Sequence, residues 1–355
     1  MVELPSIMDG NIARPDRVLT LLRAASRTFA VSIEGLPSGL REQLAVAYLL
    51  LRVSDYLEDH EEISPAAKVP LLELWNETLG HPEMVDRFLS VLAGVPYREN
   101  DPEALVARES ATLLDALARF PLPVMRTITA HVSTTTCGMA RWQARGPRVE
   151  TECELDDYMH HVAGIVGYLV TDLFALHFDA IERRRDRLMP LAREFGLALQ
   201  TVNVLRGLRK DYERGWIFVP RTFCTANGIS REDLFRASER GRAMQVVADL
   251  ISKAEHHLQS GLAYVHLIPR RLHRVRLACM WPLLFAAKTL AVSRDNPAVL
   301  SAEVKIGRPS VKQIIRDTTL FGWSNRWLEH YATRLIGNGS AQVRWDRLAE
   351  GRRAG

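Results

Sequence analysis

Asp55, Glu58 and Asp59 close a helical pattern that begins with the apolar run 44–51, in the order Asp55-Tyr56-Leu57-Glu58-Asp59. An α-helix turns about 100° per residue, so the three carboxylates project from one face. Tyr48 and Arg52 fall on the same stripe, seven and three residues before Asp55. Like charges at this spacing repel and cost helix stability. A solvated helix end would explain such a triplet without any function. Against that stands the setting, a strongly apolar helix with an aromatic and an arginine in line. Hard divalent cations such as Mg²⁺ take carboxylate oxygens, keep several waters and complete their shell with substrate phosphates. The pattern predicts a metal–diphosphate site.

Gln200, Asn203, Arg206, Gly207, Lys210 and Asp211 form a second polar set. Relative to Asn203, positions 207 and 210 lie within about 40° of one direction, with 206 and 211 on the flanks. Arg206, Lys210 and Asn203 offer the cations and amide donors that phosphate binding needs, beside one carboxylate, Asp211. Taken alone, this segment reads better as an ordinary mixed-charge exposed helix.

The elements that must carry these residues are helical throughout. The periodicity predicts a first helix over about 15–25, a turn at Ser26-Arg27-Thr28-Phe29, and the long acidic helix over 38–59. Ser64-Pro65 starts the next, since Pro suits a first helical turn. Further helices are expected over about 66–79, 82–92, 102–118, 122–145, 152–177, 187–212, 231–267, 270–294 and 310–336. Gly164 and Gly167 sit three apart in an apolar stretch, where small residues let another backbone or a ligand come close. Strand signals are scarce, and no repeat or low-complexity linker is evident. The chain reads as one all-α domain, a helical bundle around a central cavity. Residues 1–14 are expected to be an irregular N-terminus, 15–340 the helical domain and 341–355 a polar tail.

At 355 residues, with 47% apolar and 25% charged content, the chain can bury a large core. The net charge of +4 is too small and too dispersed to suggest nucleic acid, and Arg183-Arg184-Arg185 reads as a solvated face. Cys137, Cys153, Cys224 and Cys279 lie far apart with no CxxC pair, which fits a reducing compartment and argues against structural zinc. No signal peptide is evident, and the longest apolar run, 277–287, is far short of the roughly 20 residues a membrane span needs. A cytoplasmic protein with no transmembrane segment is expected, open to homo-oligomer formation. His160-His161 and His256-His257 lack metal-site spacing and read as surface or supporting residues. Asp156-Asp157 reads as a helix cap, and Trp142, Trp216 and Trp281 as core. Gly164 and Gly167 are no dinucleotide fingerprint, because no strand precedes them.

Several long motifs, in order, resemble the squalene/phytoene synthase family of helical prenyltransferases. Ser26-Arg27-Thr28-Phe29 looks like its S-R-S-F turn, and the stretch from Tyr48 through Arg52 and Asp55 to Asp59 like Y-L-x-L-R-x-x-D-x-x-E-D. Tyr158 opens a segment similar to Y-C-H-Y-V-A-G-x-V-G, and Gly196 one similar to G-x-x-L-Q-x-x-N-I-x-R. The likeness extends to Cys279, Pro282 and Val304-Lys305-Ile306, nearly the whole chain, and is closer to squalene than to phytoene synthases. It implies two acidic helices facing each other across a deep apolar pocket, with Mg²⁺ bridging carboxylates to a prenyl diphosphate and helping to ionise it. An acceptor π bond then captures the allylic cation. By position, Asp55, Glu58 and Asp59 would hold Mg²⁺ together with Asp211. Ser26, Arg27, Arg52, Gln200 and Asn203 would surround diphosphate. Tyr158 matches the family's tyrosine near the reacting carbons, stabilising the cation or taking part in proton transfer. Phe29, Tyr48, Ala278, Cys279 and Pro282 would line the substrate cavity.

The chain departs from the pattern where the second acidic motif should read N-x-x-R-D-x-x-E-D. Gly207 replaces its first carboxylate and Lys210 its second, leaving Asp211. Lys210 and Arg206 could instead neutralise diphosphate directly. Ala278 stands where squalene synthases carry a large aromatic, and Gly307 replaces a basic residue of the segment tied to NADPH use. The C-terminal membrane anchor of eukaryotic squalene synthases is also missing from the pattern. Head-to-head coupling brings two diphosphates into one cavity and needs much cation capacity, which these changes reduce. The resemblance with its departures therefore implies transfer of one prenyl group to a hydrophobic, aromatic acceptor such as a carbazole, as divergent members do in secondary metabolism. The alternatives are coupling of two farnesyl diphosphates to squalene or presqualene diphosphate, and a lipid-diphosphate-binding protein without turnover.

Overall fold

The computed structural model describes residues 14–98 and 101–337, with only the backbone at 14–16 and Arg27. The tail expected over 341–355 and almost all of the irregular N-terminus lie outside the described residues, as does the side chain of Arg27. Among the described residues there is no strand; one isolated parallel bridge joins Arg148 to Ile217.

The helices run α1 (Arg14–Ala25), α2 (Arg27–Glu34), α3 (Leu40–Asp59), α4 (Pro65–Gly80), α5 (Val85–Leu92), α6 (Pro102–Arg108), α7 (Ser110–Leu117) and α8 (Leu122–Arg145). They continue as α9 (Glu152–Met159), α10 (Ile165–His177), α11 (Asp179–Glu182), α12 (Arg185–Glu213), α13 (Arg221–Ala226), α14 (Arg240–Leu267), α15 (His273–Ser293), α16 (Arg308–Phe321) and α17 (Asn325–Ile336). α3 is apolar nearly all round because it runs through the core, against α1, α6, α7 and α8. Its floor is tied by Ser54 Oγ, 2.7 Å from Thr136 Oγ1 of α8 and accepting from Trp75 Nε1 of α4 at 3.1 Å. α12 is its counterpart on the other side, packed along α10, α14 and α15.

Several boundaries differ from the sequence expectation. Ser26 is an N-cap rather than part of a turn: its Oγ accepts from Phe29 N at 3.1 Å and starts α2. The span 231–267 is helical only from α14 onward, after a short 3₁₀ turn at Ala237–Glu239. The span 310–336 breaks at Gly322, after which Ser324 caps α17 through Trp327 N. The expected helix 102–118 breaks at Glu109. Asp156 and Asp157 do not cap α9; Thr151 does, accepting from Glu154 N at 3.2 Å. Asp156 pairs instead with the buried Lys253 at 2.6 Å.

The expected helix 152–177 is interrupted by a π-helical turn, His160–Gly164, between α9 and α10. This is where it crosses α12, and the small residues do allow the backbones to touch. A Cβ on Gly167 would lie 2.1 Å from the Ala192 carbonyl oxygen, and one on Gly196 2.3 Å from that of Ala163. Two helical stretches, Glu152–His177 and His273–Ser293, are long and apolar enough by length and composition to cross a membrane, which inspection of single apolar runs missed. The second is 78% buried inside the fold, as a core helix is. The first owes its apolar face to the cavity it walls, through Val162, Ala163, Val166 and Val170.

Candidate functional site

α3, the π turn with α10, α12 and α15 enclose a cavity of about 480 Å³. Its depth is apolar: Leu44, Ala47, Leu51, Val166, Phe174, Phe195, Leu199, Ala278, Cys279 and Pro282 line it. Its polar end carries Arg52, Asp55, Glu58 and Asp59 from α3 and Gln200, Asn203 and Asp211 from α12. The two polar sets singled out in the sequence thus face one space. Tyr48, Phe29 and Tyr158 line it too, while Ser26, Arg206 and Lys210 are not among the lining residues.

The acidic triplet occupies the C-terminal turn of α3, the negative end of the helix dipole. Cations compensate it. Arg52 Nη1 donates to Asp55 Oδ2 at 2.6 Å, and its other nitrogen pairs with Glu103. The buried Lys68 donates to the Glu58 carbonyl at 2.6 Å. Glu58 is only 6% exposed, and its Oε1 accepts from Gln143 Nε2 at 3.0 Å. Burial, with Asp59 and Glu103 adding repulsion, pushes Asp55 up to about 6 despite Arg52. Burial and then Asp59 raise Glu58 well above the usual carboxylate range.

Arg214, just past α12, was not anticipated from the sequence. Its Nη1 lies 3.1 Å from Asp59 Oδ1, and its Nη2 donates to Asp211, so one guanidinium clasps the acidic ends of α3 and α12. Burial raises Asp211 above its ordinary range although Arg214 works against it. Lys210, by contrast, is 70% exposed and reaches Glu61 at 3.6 Å, while Arg206 pairs with Glu303. Neither sits where the sequence reading placed a diphosphate contact. Asn203 donates to Gln200 Oε1 at 3.2 Å, holding both amides at the cavity wall.

The aromatic wall is built by contact. Tyr158 stacks on Phe218, centroids 4.5 Å apart at 24°, and meets Trp142 edge-on at 5.6 Å. Phe29 lies 5.5 Å from Tyr48. Burial, then Glu58 and Asp59, push the Tyr158 hydroxyl far up, so it stays neutral. Phe218 belongs to the segment 214–220, pinned where Ile217 N donates to Pro147 O at 3.0 Å, and the buried Arg231 holds the adjoining stretch by donating to Val149 O at 2.7 Å. Sequence reasoning missed Phe218 and Gln143, which lie outside the quoted motifs; Trp216, stacked on Phe218 at 5.4 Å, marks this segment as aromatic. Trp142 and Trp281 are buried as expected, and His257, expected on the surface or in support, is buried against Glu194 at 2.6 Å.

Among the described residues no three His, Cys, Asp or Glu side chains already converge as a set able to hold a metal ion. The donor chemistry nevertheless fits Mg²⁺. Asp55, Glu58, Asp59 and Asp211 offer hard oxygen ligands on one cavity, and burial raises Asp55, Glu58 and Asp211 above the usual carboxylate range.

Residues 22–310 match the family described as squalene/phytoene synthase. The squalene synthase of Schizosaccharomyces pombe is 29% identical over 313 residues, covering 84% of this chain and 64% of that protein. The Homo sapiens squalene synthase is 28% identical over 306 residues, covering 84% of this chain and 68% of that one. The chain thus spans about two thirds of the length of these relatives. The solved structure of TcSQS with the ligand E5700 superposes with a TM-score of 0.77 at 22% identity, over 95% of this chain and 96% of that one. A dehydrosqualene synthase in complex with ligand gives 0.64 at 19% identity, over 87% and 96%. At these identities the structural likeness speaks for the fold.

Proposed function

The chain belongs to the squalene/phytoene synthase family, and from that premise we propose that it is an Mg²⁺-dependent prenyltransferase that ionises an allylic prenyl diphosphate at the polar end of the cavity. The observation that carries this is the cavity itself: four carboxylates, two arginines and two amides at one end of an otherwise apolar chamber. Asp55, Glu58, Asp59 and Asp211 would hold Mg²⁺, which neutralises the diphosphate as it leaves. Arg52, Asn203 and Gln200 orient the phosphates by hydrogen bonds. The prenyl chain lies along the apolar depth toward Ala278, Cys279 and Pro282, where water is excluded. The ring faces of Tyr158, Phe218 and Tyr48 stabilise the allylic cation until a π bond captures it.

Two acceptors compete. The comparisons favour a second prenyl diphosphate, because the relatives are named squalene and dehydrosqualene synthases. They lend no support to an aromatic acceptor. The residues of α12 favour an acceptor without diphosphate: Gly207 and the outward Lys210 leave Asp211 as the α12 carboxylate on the cavity, already clasped by Arg214. A second prenyl diphosphate is nonetheless the better supported acceptor, and transfer to an electron-rich aromatic ring is the second reading, resting on the thinned α12 carboxylates alone. Farnesyl diphosphate with Mg²⁺ should then release pyrophosphate without any added acceptor and give presqualene diphosphate, or squalene when NADPH is added, by mass spectrometry. Pyrophosphate release only in the presence of an indole- or carbazole-type acceptor, with neither coupling product detected, would reverse the choice in favour of aromatic prenylation. Absence of pyrophosphate release with every acceptor and donor from C5 to C20 would remove the transferase reading.

A further inference from the structure

Arg214 lies where α3 and α12 bring Asp59 and Asp211 within reach of a single side chain. Its guanidinium lies 3.1 Å from Asp59 Oδ1 and 3.4 Å from the Asp59 carbonyl, and it also donates to Asp211 Oδ1. It lines the cavity with its side chain 21% exposed, and its Nε–H is buried without a hydrogen-bond partner. Asp211 reaches it by folding back over its own helix. A Cβ at Gly207 would stand 2.7 Å from Asp211 Oδ2, so the missing side chain at 207 is the space this carboxylate uses.

We propose that Arg214 is the built-in cation of the diphosphate site, clasping Asp59 and Asp211 where a divalent ion would otherwise be shared, and transferring its donors to the incoming diphosphate. The proposal rests on the prenyl-diphosphate reading above and names the residue that replaces lost metal capacity on α12. A guanidinium presents five N–H donors in a fixed fork that matches phosphate oxygens, and its buried Nε–H has an unused donor to give. When diphosphate takes the fork, Asp59 is released as a free carboxylate beside Asp55, on the face that would hold Mg²⁺. Anion and metal therefore enter cooperatively. Lys210, the cation that the sequence suggested for this task, is exposed and turned to Glu61.

The test measures two ligands separately by calorimetry on the full chain: inorganic pyrophosphate in EDTA, and Mg²⁺ alone. Arg214→Met should weaken metal-free pyrophosphate binding by about tenfold or more, since one charge-assisted fork is lost. The same variant should bind Mg²⁺ alone more tightly than the parent, because Asp59 and Asp211 are no longer neutralised. A residue that merely braced the fold would weaken both together, and that result overturns the proposal, as does unchanged pyrophosphate affinity. Should Arg214→Met not fold, Arg214→Lys decides: a severalfold loss of pyrophosphate affinity with Mg²⁺ binding kept supports the fork, and no loss overturns it. A parent protein that binds pyrophosphate in EDTA yet turns over no prenyl diphosphate sinks the function reading alone. One that turns over donor but binds no metal-free pyrophosphate sinks Arg214 alone.

Discussion

Asp55 is ionised against its surroundings at neutral pH, and the consequence can be measured. Its folded-state pKa is about 6 against an ordinary 3.8, so between those values the folded chain holds a proton that the unfolded chain has released. Stability from this group is therefore lost as pH rises through the window and stays lost above about 6. In EDTA, Asp55→Asn should melt about 2–4 °C above the parent at pH 7.5, and the gap should close toward pH 4. Added Mg²⁺ should raise the parent more than the variant; differential scanning fluorimetry reads both. The same variant should lose about 100-fold or more of its pyrophosphate release, since a metal-binding oxygen is gone. Helical spacing made Asp55, Glu58 and Asp59 legible in the sequence as one face, because residues one turn apart must share it, whereas Tyr158 was singled out by the family resemblance alone. Arg214 was not legible, because its value comes from an approach of α3 to α12 that no local pattern encodes. Lys210 was misjudged for the same reason: its chain position is on the polar face, but its reach is toward Glu61.

At the scale of elements, the crossing of α10 with α12 is set by glycines whose hydrogens fill the contact. Gly196→Ala puts a methyl against the Ala163 carbonyl with backbone on both sides, so nothing can turn aside. We expect a loss of about 2–4 kcal/mol in urea unfolding, the range of severe overpacking. Gly207→Ala meets only the flexible tip of Asp211 and should cost under about 1 kcal/mol, though it should shift Mg²⁺ affinity by moving that carboxylate. The three-residue spacing of Gly164 and Gly167 announced a close approach, and the structure has one. The π turn over His160–Gly164 carried no such announcement: no Pro falls in it to mark a break. The start of α2 and the break before α17 were written in capping residues: Ser26 and Ser324 each accept a backbone N–H three residues on. Reading Ser26-Arg27-Thr28 as a turn overlooked that a cap and a turn share the same residue types.

For the whole molecule, the cavity's far end decides which hydrocarbon fits. Ala278 is small and lines the cavity, so Ala278→Trp should shift competition between C10 and C15 donors toward the shorter by about tenfold, the scale of a few lost methylene contacts. Unchanged selectivity would mean the chain runs elsewhere. The segment 214–220 carries Arg214 at one end and Phe218 four residues on; it is joined through Ile217 N and Pro147 O to the stretch 147–150, which Arg231 holds at Val149 and Glu150. Electrostatic grip and hydrocarbon shielding thus ride on one short tether. Quenching of the carbocation by solvent becomes a question of how tightly that tether is moored. Arg231→Met, outside the cavity lining, should raise the share of free prenyl alcohol among the products; an unaltered ratio of alcohol to transfer product would show the two tasks are independent.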